Sequence, residues 1–256
     1  MTTAAEQDPP TAPLVRSAHE KGITTLTLDS PANRNALSVG LVSELYAELE
    51  KAAEDEGTRA IVLTHSGNTF CAGADLREGS QSPGDLAAVL RTIVELPKPV
   101  VARVDGHVRA GGTGLLSACD ISVAGPASSF AFTEVRIGVA PAVISMPLLP
   151  RLDARAAARY YLTGERFDAA EAARIGLVTL AGEDVDGLLA PVLDGLRRGS
   201  PQGLAESKRL VTAEVLRVFD RDTDSLAELS ARLFASDEAR EGMTAFLERR
   251  EPAWVP

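Results

Sequence analysis

Two short segments dominate what this chain can fold into: Phe70-Cys71-Ala72-Gly73-Ala74-Asp75-Leu76 and Ala110-Gly111-Gly112-Thr113-Gly114. Each follows an apolar, β-branched run and puts glycine and alanine where a strand should give way to a helix. Without side-chain bulk, the backbone at such a junction can turn a bare N–H toward a ligand. Two such donors meeting at one point make an oxyanion hole, which stabilises the enolate or tetrahedral oxyanion formed from a thioester carbonyl.

The surrounding pattern repeats. Residues 23–28 read as a strand, and Ser38 as the N-cap of a helix in which Leu41, Val42, Leu45, Leu49 and Ala52 recur at helical spacing. A buried strand at 60–64 leads into the first small-residue loop, and a helix at 85–96 ends before Pro97-Lys98-Pro99. A strand at 100–104, a loop at 105–110 and a small-residue helix at 111–118 follow, then short strands at 121–124 and 130–132. This alternation predicts an α/β fold of stacked ββα turns with the functional loops at one end.

Beyond Pro150 the pattern is mostly helical: 154–162, 168–174, 186–198, 201–216, 222–234 and 237–250, with a short strand at 175–178. The Ala/Leu-rich tail is expected to fold back over the first part or to pack on another subunit. The organisation read is a disordered tail at 1–13, a core at 14–200 and a helical region at 201–256 within the same functional unit.

A formal charge of −10 argues against nucleic-acid partners, since phosphates would be repelled on average. Arg197, Arg198, Lys208 and Arg209 form a local basic run that reads as a solvated helix face. The only two cysteines, Cys71 and Cys119, and the three histidines, His19, His65 and His107, show no metal-ligand spacing, so no metal is expected. The start lacks the features of a secretory or transit peptide, and the longest mostly apolar run, 138–150, is too short for a span of about 20 residues. A cytoplasmic, membrane-free location is the expectation.

Several motifs resemble, in order and spacing, the crotonase (enoyl-CoA hydratase/isomerase) superfamily. They are Asn33-Arg34-Asn35-Ala36-Leu37, the two loops above, Ala118-Cys119-Asp120-Ile121, Phe132-Thr133-Glu134 and Tyr161-Leu162-Thr163-Gly164-Glu165. Ala172-Ala173-Arg174-Ile175-Gly176-Leu177-Val178 and Ser236-Asp237-Glu238-Ala239-Arg240-Glu241-Gly242 extend the match over roughly residues 14–254. The resemblance implies a ββα spiral with a helical C-terminal oligomerisation region, assembled as a homotrimer or a homohexamer. It implies an acyl-CoA thioester as substrate, with coenzyme A entering as part of that substrate and no other cofactor. Residues 109–112 and 138–145 look most like bacterial methylglutaconyl-CoA hydratase-type members.

By the same resemblance, the N–H groups of Ala74 and Gly111 form the oxyanion hole. Coenzyme A contacts fall on Arg34, Ala36, Ala72, Gly73, Asp75 and Leu76, with Arg34 toward the nucleotide and Ala72 offering backbone groups to the adenine. Arg249 and Arg250 are a further possible phosphate contact across a subunit boundary, or simply a solvated helix end.

Hydratases of this family commonly use two glutamates. One matches Glu134; the other belongs twenty residues upstream, where this chain has Gly114. Beside Phe130, Phe132 and Val135, Glu134 should be desolvated and its pKa raised toward the range useful for acid–base work, the alternative being an ion pair with Arg136. The preferred reaction is hydration of a 2-enoyl-CoA with Glu134 as the single acid/base. A Δ3,Δ2-enoyl-CoA isomerase using the same residue is the rival, a non-catalytic acyl-CoA-binding oligomer the alternative of another class, and a hydrolase the weakest reading. Asp105, His107 and Arg109 precede the second loop; Arg109 would suit a carboxylated acyl group, and all three would also serve to hold the loop. Tyr160, Tyr161 and Trp254 read as packing residues.

Overall fold

The computed structural model describes residues 12–78 and 82–256, so most of the tail expected at 1–13 lies outside the described residues. Strands β1 (Val15–Glu20) and β2 (Ile23–Leu28) pair antiparallel. Helix α1 (Val39–Glu54) follows; the Ser38 hydroxyl accepts from Leu41 N at 3.1 Å, as its N-cap position predicts.

Three similar passes come next. The first is β3 (Ala60–His65), β4 (Thr69–Cys71) and α2 (Pro83–Glu95). The second is β5 (Val100–Val104), β6 (His107–Arg109) and α3 (Gly111–Ala118). The third is β7 (Ile121–Ala124), β8 (Ser129–Ala131) and a 3-10 turn, Glu134–Ile137. The chain continues through α4 (Ser145–Leu148), α5 (Ala154–Thr163), β9 (Phe167–Asp168), α6 (Ala169–Arg174) and β10 (Leu180–Ala181). It closes with α7 (Val185–Arg198), α8 (Pro201–Phe234) and α9 (Asp237–Glu248).

In each pass the first strand joins one sheet and the second strand the other. The larger sheet has the order β1-β2-β3-β5-β7-β10 and the smaller β4-β6-β8-β9. This is the stacked ββα arrangement that the strand–loop–helix pattern predicts.

The apolar runs explain the layering. Along β3, Ile61 and Leu63 face the main core between the sheets and helices, whereas Ala60 and Val62 face a second core under α7 with Val185 and Leu189. A parallel strand covered on both faces has no room for polar alternation, hence its unbroken apolar sequence. Val215 and Phe219 of α8 belong to the main core, so the C-terminal helices fold back over the first part of the chain.

Four local expectations are corrected. Residues 201–234 form one helix: neither Gly nor Pro interrupts 217–221, and Phe219, 1 % exposed, carries the buried stripe of Thr212 and Val215 onward. Residues 175–178 are not a strand; pairing with β7 begins at Leu180, after the Ile175–Val178 amides have been used around the end of α6. The stretch 105–110 contains β6, too short to show a period. Lys208 is not part of a solvated face but is 5 % exposed: its ammonium donates to Ile93 O at 2.7 Å and Lys98 O at 3.0 Å, and it pairs with Asp120 at 2.8 Å. Three acceptors satisfy its three protons and tie α8 to α2, to the connection between α2 and β5, and to the residue before β7.

Candidate active site

The two small-residue loops meet. A Cβ added to Gly73, whose φ is +91°, would lie 2.8 Å from Ala110 Cβ and 3.5 Å from Gly111 N. Only glycine permits that approach at that backbone angle. Ala110 itself sits at φ 46°, ψ −122°, a strained conformation for a residue with a Cβ. It is held there by Ala110 N donating to Ala131 O at 3.2 Å and by the Thr113 hydroxyl donating to Ala110 O at 2.6 Å.

Among the described residues, neither Ala74 N–H nor Gly111 N–H donates a hydrogen bond within the chain. Gly111 is the first residue of α3, so its amide is one of the free donors at the positive end of that helix. Ala74 is exposed, beside the glycine that contacts Gly111. The loops are thus arranged to offer two unspent amides close together.

The segment 33–37 is zipped onto 72–75. Ala72 N donates to Arg34 O at 3.1 Å, Leu37 N to Gly73 O at 2.7 Å and Asp75 N to Leu37 O at 3.4 Å. Arg34, Ala36, Ala72, Gly73, Asp75 and Leu76 therefore lie along one edge. Their side chains differ in availability. Arg34 is exposed at φ 60°, while Ala36 is buried. Asp75 is engaged, accepting from Asn33 Nδ2 at 3.2 Å and from Arg77 N at 3.0 Å, which makes it a brace of this edge.

Asn35 belongs to the motif read from the sequence, but its bracing role does not show there. Fully buried, it donates to Ser66 O at 3.1 Å and Thr69 O at 2.7 Å and accepts from Ser30 N at 2.7 Å, locking the edge to β4. Its place in the Asn33-Arg34-Asn35 run is the sequence signal, since Asn tolerates the left-handed conformation that it adopts here at φ 52°.

Glu134 opens the 3-10 turn three residues beyond Ala131, the residue bonded to the Ala110 amide. It is 7 % exposed, and its Oε2 has no hydrogen-bond partner. Burial pushes its carboxyl up to about 7, against the opposing pull of the backbone amides of Glu134 and Thr133. The ion pair with Arg136 considered from sequence is not formed; Arg136 instead donates to Thr163 O at 3.3 Å. Among the described residues, Glu134 is the one acidic residue that is buried.

No side chain fits at Gly114. A Cβ there would lie 2.6 Å from Ile144 Cγ2, 3.0 Å from Ile144 Cβ and 3.3 Å from Leu90 Cδ1. Both neighbours are buried, so hydrocarbon fills the space beside Gly114. Ile144 lies thirty residues downstream of Gly114 in sequence, and no local pattern pairs the two.

The residues before the second loop hold it. Arg109 donates to Val108 O at 2.9 Å and to Ser129 O and Oγ at 2.5 and 2.8 Å, and His107 Nδ1 lies 2.9 Å from Ser129 Oγ. Burial, aided by Arg166, lowers the Arg109 guanidinium to about 10. Asp105 accepts from Ala127 N at 3.1 Å. Tyr160 is buried; Tyr161 packs on Phe132 at 4.9 Å between centroids and its hydroxyl lies 3.1 Å from Ser145 Oγ. Trp254, expected to pack, is 43 % exposed in the single chain. Arg250 is paired with Glu241 and Glu248. Cys71 and Cys119 are buried thiols pushed up to about 12, which keeps them protonated. Among the described residues no cluster of three or more His, Cys, Asp or Glu could hold a metal, and no helix is long and apolar enough to cross a membrane.

A family model, curated relatives and solved structures match this chain over most of its length. The model of the enoyl-CoA hydratase/isomerase family matches residues 18–255. The crystal structure of an enoyl-CoA hydratase from Mycobacterium avium is 58% identical, with a TM-score of 0.90, covering 96% of this chain and 100% of that one. The 2,3-dehydroadipyl-CoA hydratase of Escherichia coli is 31% identical over 92% of this chain and 96% of its own. Enoyl-CoA hydratase EchA19 of Mycobacterium tuberculosis is 31% identical over 89% of this chain and 91% of its own.

Proposed function

The chain belongs to the enoyl-CoA hydratase/isomerase family, and on that premise we propose that it moves a proton along an unsaturated acyl-CoA, using Glu134 as its single acid/base. The thioester carbonyl sits against the Ala74 and Gly111 amides. Their hydrogen bonds stabilise the negative charge that develops on the oxygen when the α-proton leaves, which lowers the barrier to forming the enolate. With a 3-enoyl-CoA, the Glu134 carboxylate takes the α-proton, the electron pair delocalises into the dienolate, and the same carboxyl returns a proton at the γ-carbon. The product is the conjugated 2-enoyl-CoA, with no atom gained or lost.

The observation that carries this reading is the packing of Ile144 and Leu90 against Gly114. Hydration in the two-glutamate manner needs a second carboxylate to hold and activate water, and hydrocarbon stands in its place. A lone carboxyl with a pKa near 7 suits a group that must both accept and return a proton near neutrality.

Hydration of a 2-enoyl-CoA by Glu134 alone is the second reading, favoured by the hydratase named among the solved structures at 58% identity. Here one carboxyl would take the proton from water and deliver a proton to the α-carbon. The two readings separate in labelled solvent. Incubation with 3-enoyl- and 2-enoyl-CoA in H2-18O should give double-bond migration without 18O in the product. Rapid 18O incorporation from the 2-enoyl substrate, with no migration from the 3-enoyl one, would establish hydration instead. Binding of both thioesters with no turnover would leave a non-catalytic binder.

A further inference from the structure

The proton transfer just described makes no use of the C-terminal helix, yet α9 lies backbone to backbone against the Glu134 turn. A Cβ on Gly242 of α9 would sit 2.5 Å from Ile137 C and 2.6 Å from Ile137 Cα and O. From the other side, Gly138 closes the turn at φ +75°, and a Cβ there would sit 2.6 Å from Glu238 C and 2.8 Å from Ala239 N. Two glycines, one on each element, thus remove the side chains that would hold the helix and the turn apart.

The turn itself is tight. The Gly138 amide donates to Glu134 O, and so does Val139 N, at 3.1 Å. Among the described residues the Glu134 Oε2 has no hydrogen-bond partner, and the amides that bear on its carboxyl are those of Glu134 and Thr133, at the start of the turn itself. Its position is therefore set by where the backbone turn sits, and the turn is backed by α9. The charged groups nearby do not take over that task. Arg136 on the turn donates to Thr163 O, the Tyr161 hydroxyl is bonded to Ser145, and Glu238 meets the turn through its backbone.

We infer that α9 is a positioning element for the acid–base carboxylate, and that Gly242 and Gly138 are the contacts through which it sets the depth of Glu134 in the site. The inference rests on the reading of Glu134 as the acid/base. In that role Gly242 touches no substrate; it acts on the reaction only through the turn.

The test compares Gly242→Ala, Ala245→Gly, Gly195→Ala and Glu134→Gln in the full chain, each checked for folding by its melting curve. Gly242→Ala drives a methyl into Ile137, whereas Ala245→Gly weakens α9 at a buried position without adding an atom. Gly195 of α7 has open space around its Cβ position and is the matched control. For Gly242→Ala we expect kcat to fall about a hundredfold at nearly unchanged KM, the scale of a misplaced catalytic group. We also expect the acidic limb of kcat/KM to move below its position near 7, as the lifted carboxyl gains water. Ala245→Gly should move both in the same direction by less, and Gly195→Ala should match the unsubstituted chain.

A folded Gly242→Ala variant with unchanged kcat and pH limb, beside an inactive Glu134→Gln, overturns the inference and leaves the acid–base reading intact. Should Gly242→Ala not fold, the same null result in Ala245→Gly overturns it. An active Glu134→Gln removes the premise itself.

Discussion

Gly114 and Ile144 are a complementary pair: the space a side chain at 114 would need is filled by the Ile144 Cγ2 methyl, 2.6 Å from the missing Cβ. The absence of a side chain at position 114 is therefore built into the packing of α3 against the residues before α4. Gly114→Ala should cost about 1–3 kcal/mol of stability, the scale of an overpacked core. Ile144→Ala in the same chain should recover part of that loss, so a double-mutant cycle by denaturant melts should show favourable coupling. Strict additivity would contradict the pairing.

Glu134→Gln keeps the shape of the side chain and removes its proton chemistry. Turnover should fall by about 10²–10⁴-fold, the usual contribution of a positioned acid/base, with thioester affinity retained. Calorimetric binding measured beside steady-state rates checks both halves.

The same substitution has a pH-dependent effect on stability. The folded pKa of Glu134 is raised from 4.5 to about 7, so between those values the native state holds a proton that the unfolded chain has lost. Stability therefore falls as pH rises through that window, by a total of about 3 kcal/mol from this group, and stays lowered above it. Glu134→Gln should raise the melting temperature at pH 8 and leave it nearly unchanged at pH 4. Equal shifts at both pH values would argue that the carboxyl is not buried as described.

Ala74→Pro deletes the amide proposed as an oxyanion donor while leaving the Asp75 N to Leu37 O bond available. The expected loss in kcat is about 10²–10³-fold, with a smaller change in thioester binding. Single-turnover rates with a saturating acyl-CoA distinguish this from loss of affinity.

Lys208 and Asp120 form a nearly buried ion pair, and neither residue is among the proposed catalytic groups. Lys208→Met strands the Asp120 carboxylate, whose pKa burial already raises, and should cost about 3–5 kcal/mol. Specific activity per folded molecule should be unchanged. Melts and active-site titration, read together, test the separation of stability from function.

Much of the site was legible in the chain because its parts are local. Gly73 and Gly111 sit at strand ends in short runs, and Glu134 follows the apolar β8, so local chemistry and family spacing together mark them. Glu134 next to Phe130 and Phe132 already signals desolvation, and the raised pKa follows from that burial. The fold's repeating passes were visible for the same reason, through runs such as Ala60–His65 whose two faces both need covering. Short strands such as β6 escaped because three residues carry no period.

The two glycine-bearing loops, the single glutamate and the strand–helix succession are legible in the chain alone because each is a run of neighbouring residues, and the family because such runs recur in a fixed order. What stands beside Gly114, what backs the Glu134 turn, and that Lys208 is a buried tie rather than part of a surface patch emerge with the packing. Those three depend on Ile144, Gly242 and Asp120, from 30 to 108 residues away, brought close by packing. A steric exclusion, a backbone contact and a desolvated ion pair are properties of distance in space, and a linear pattern does not encode them.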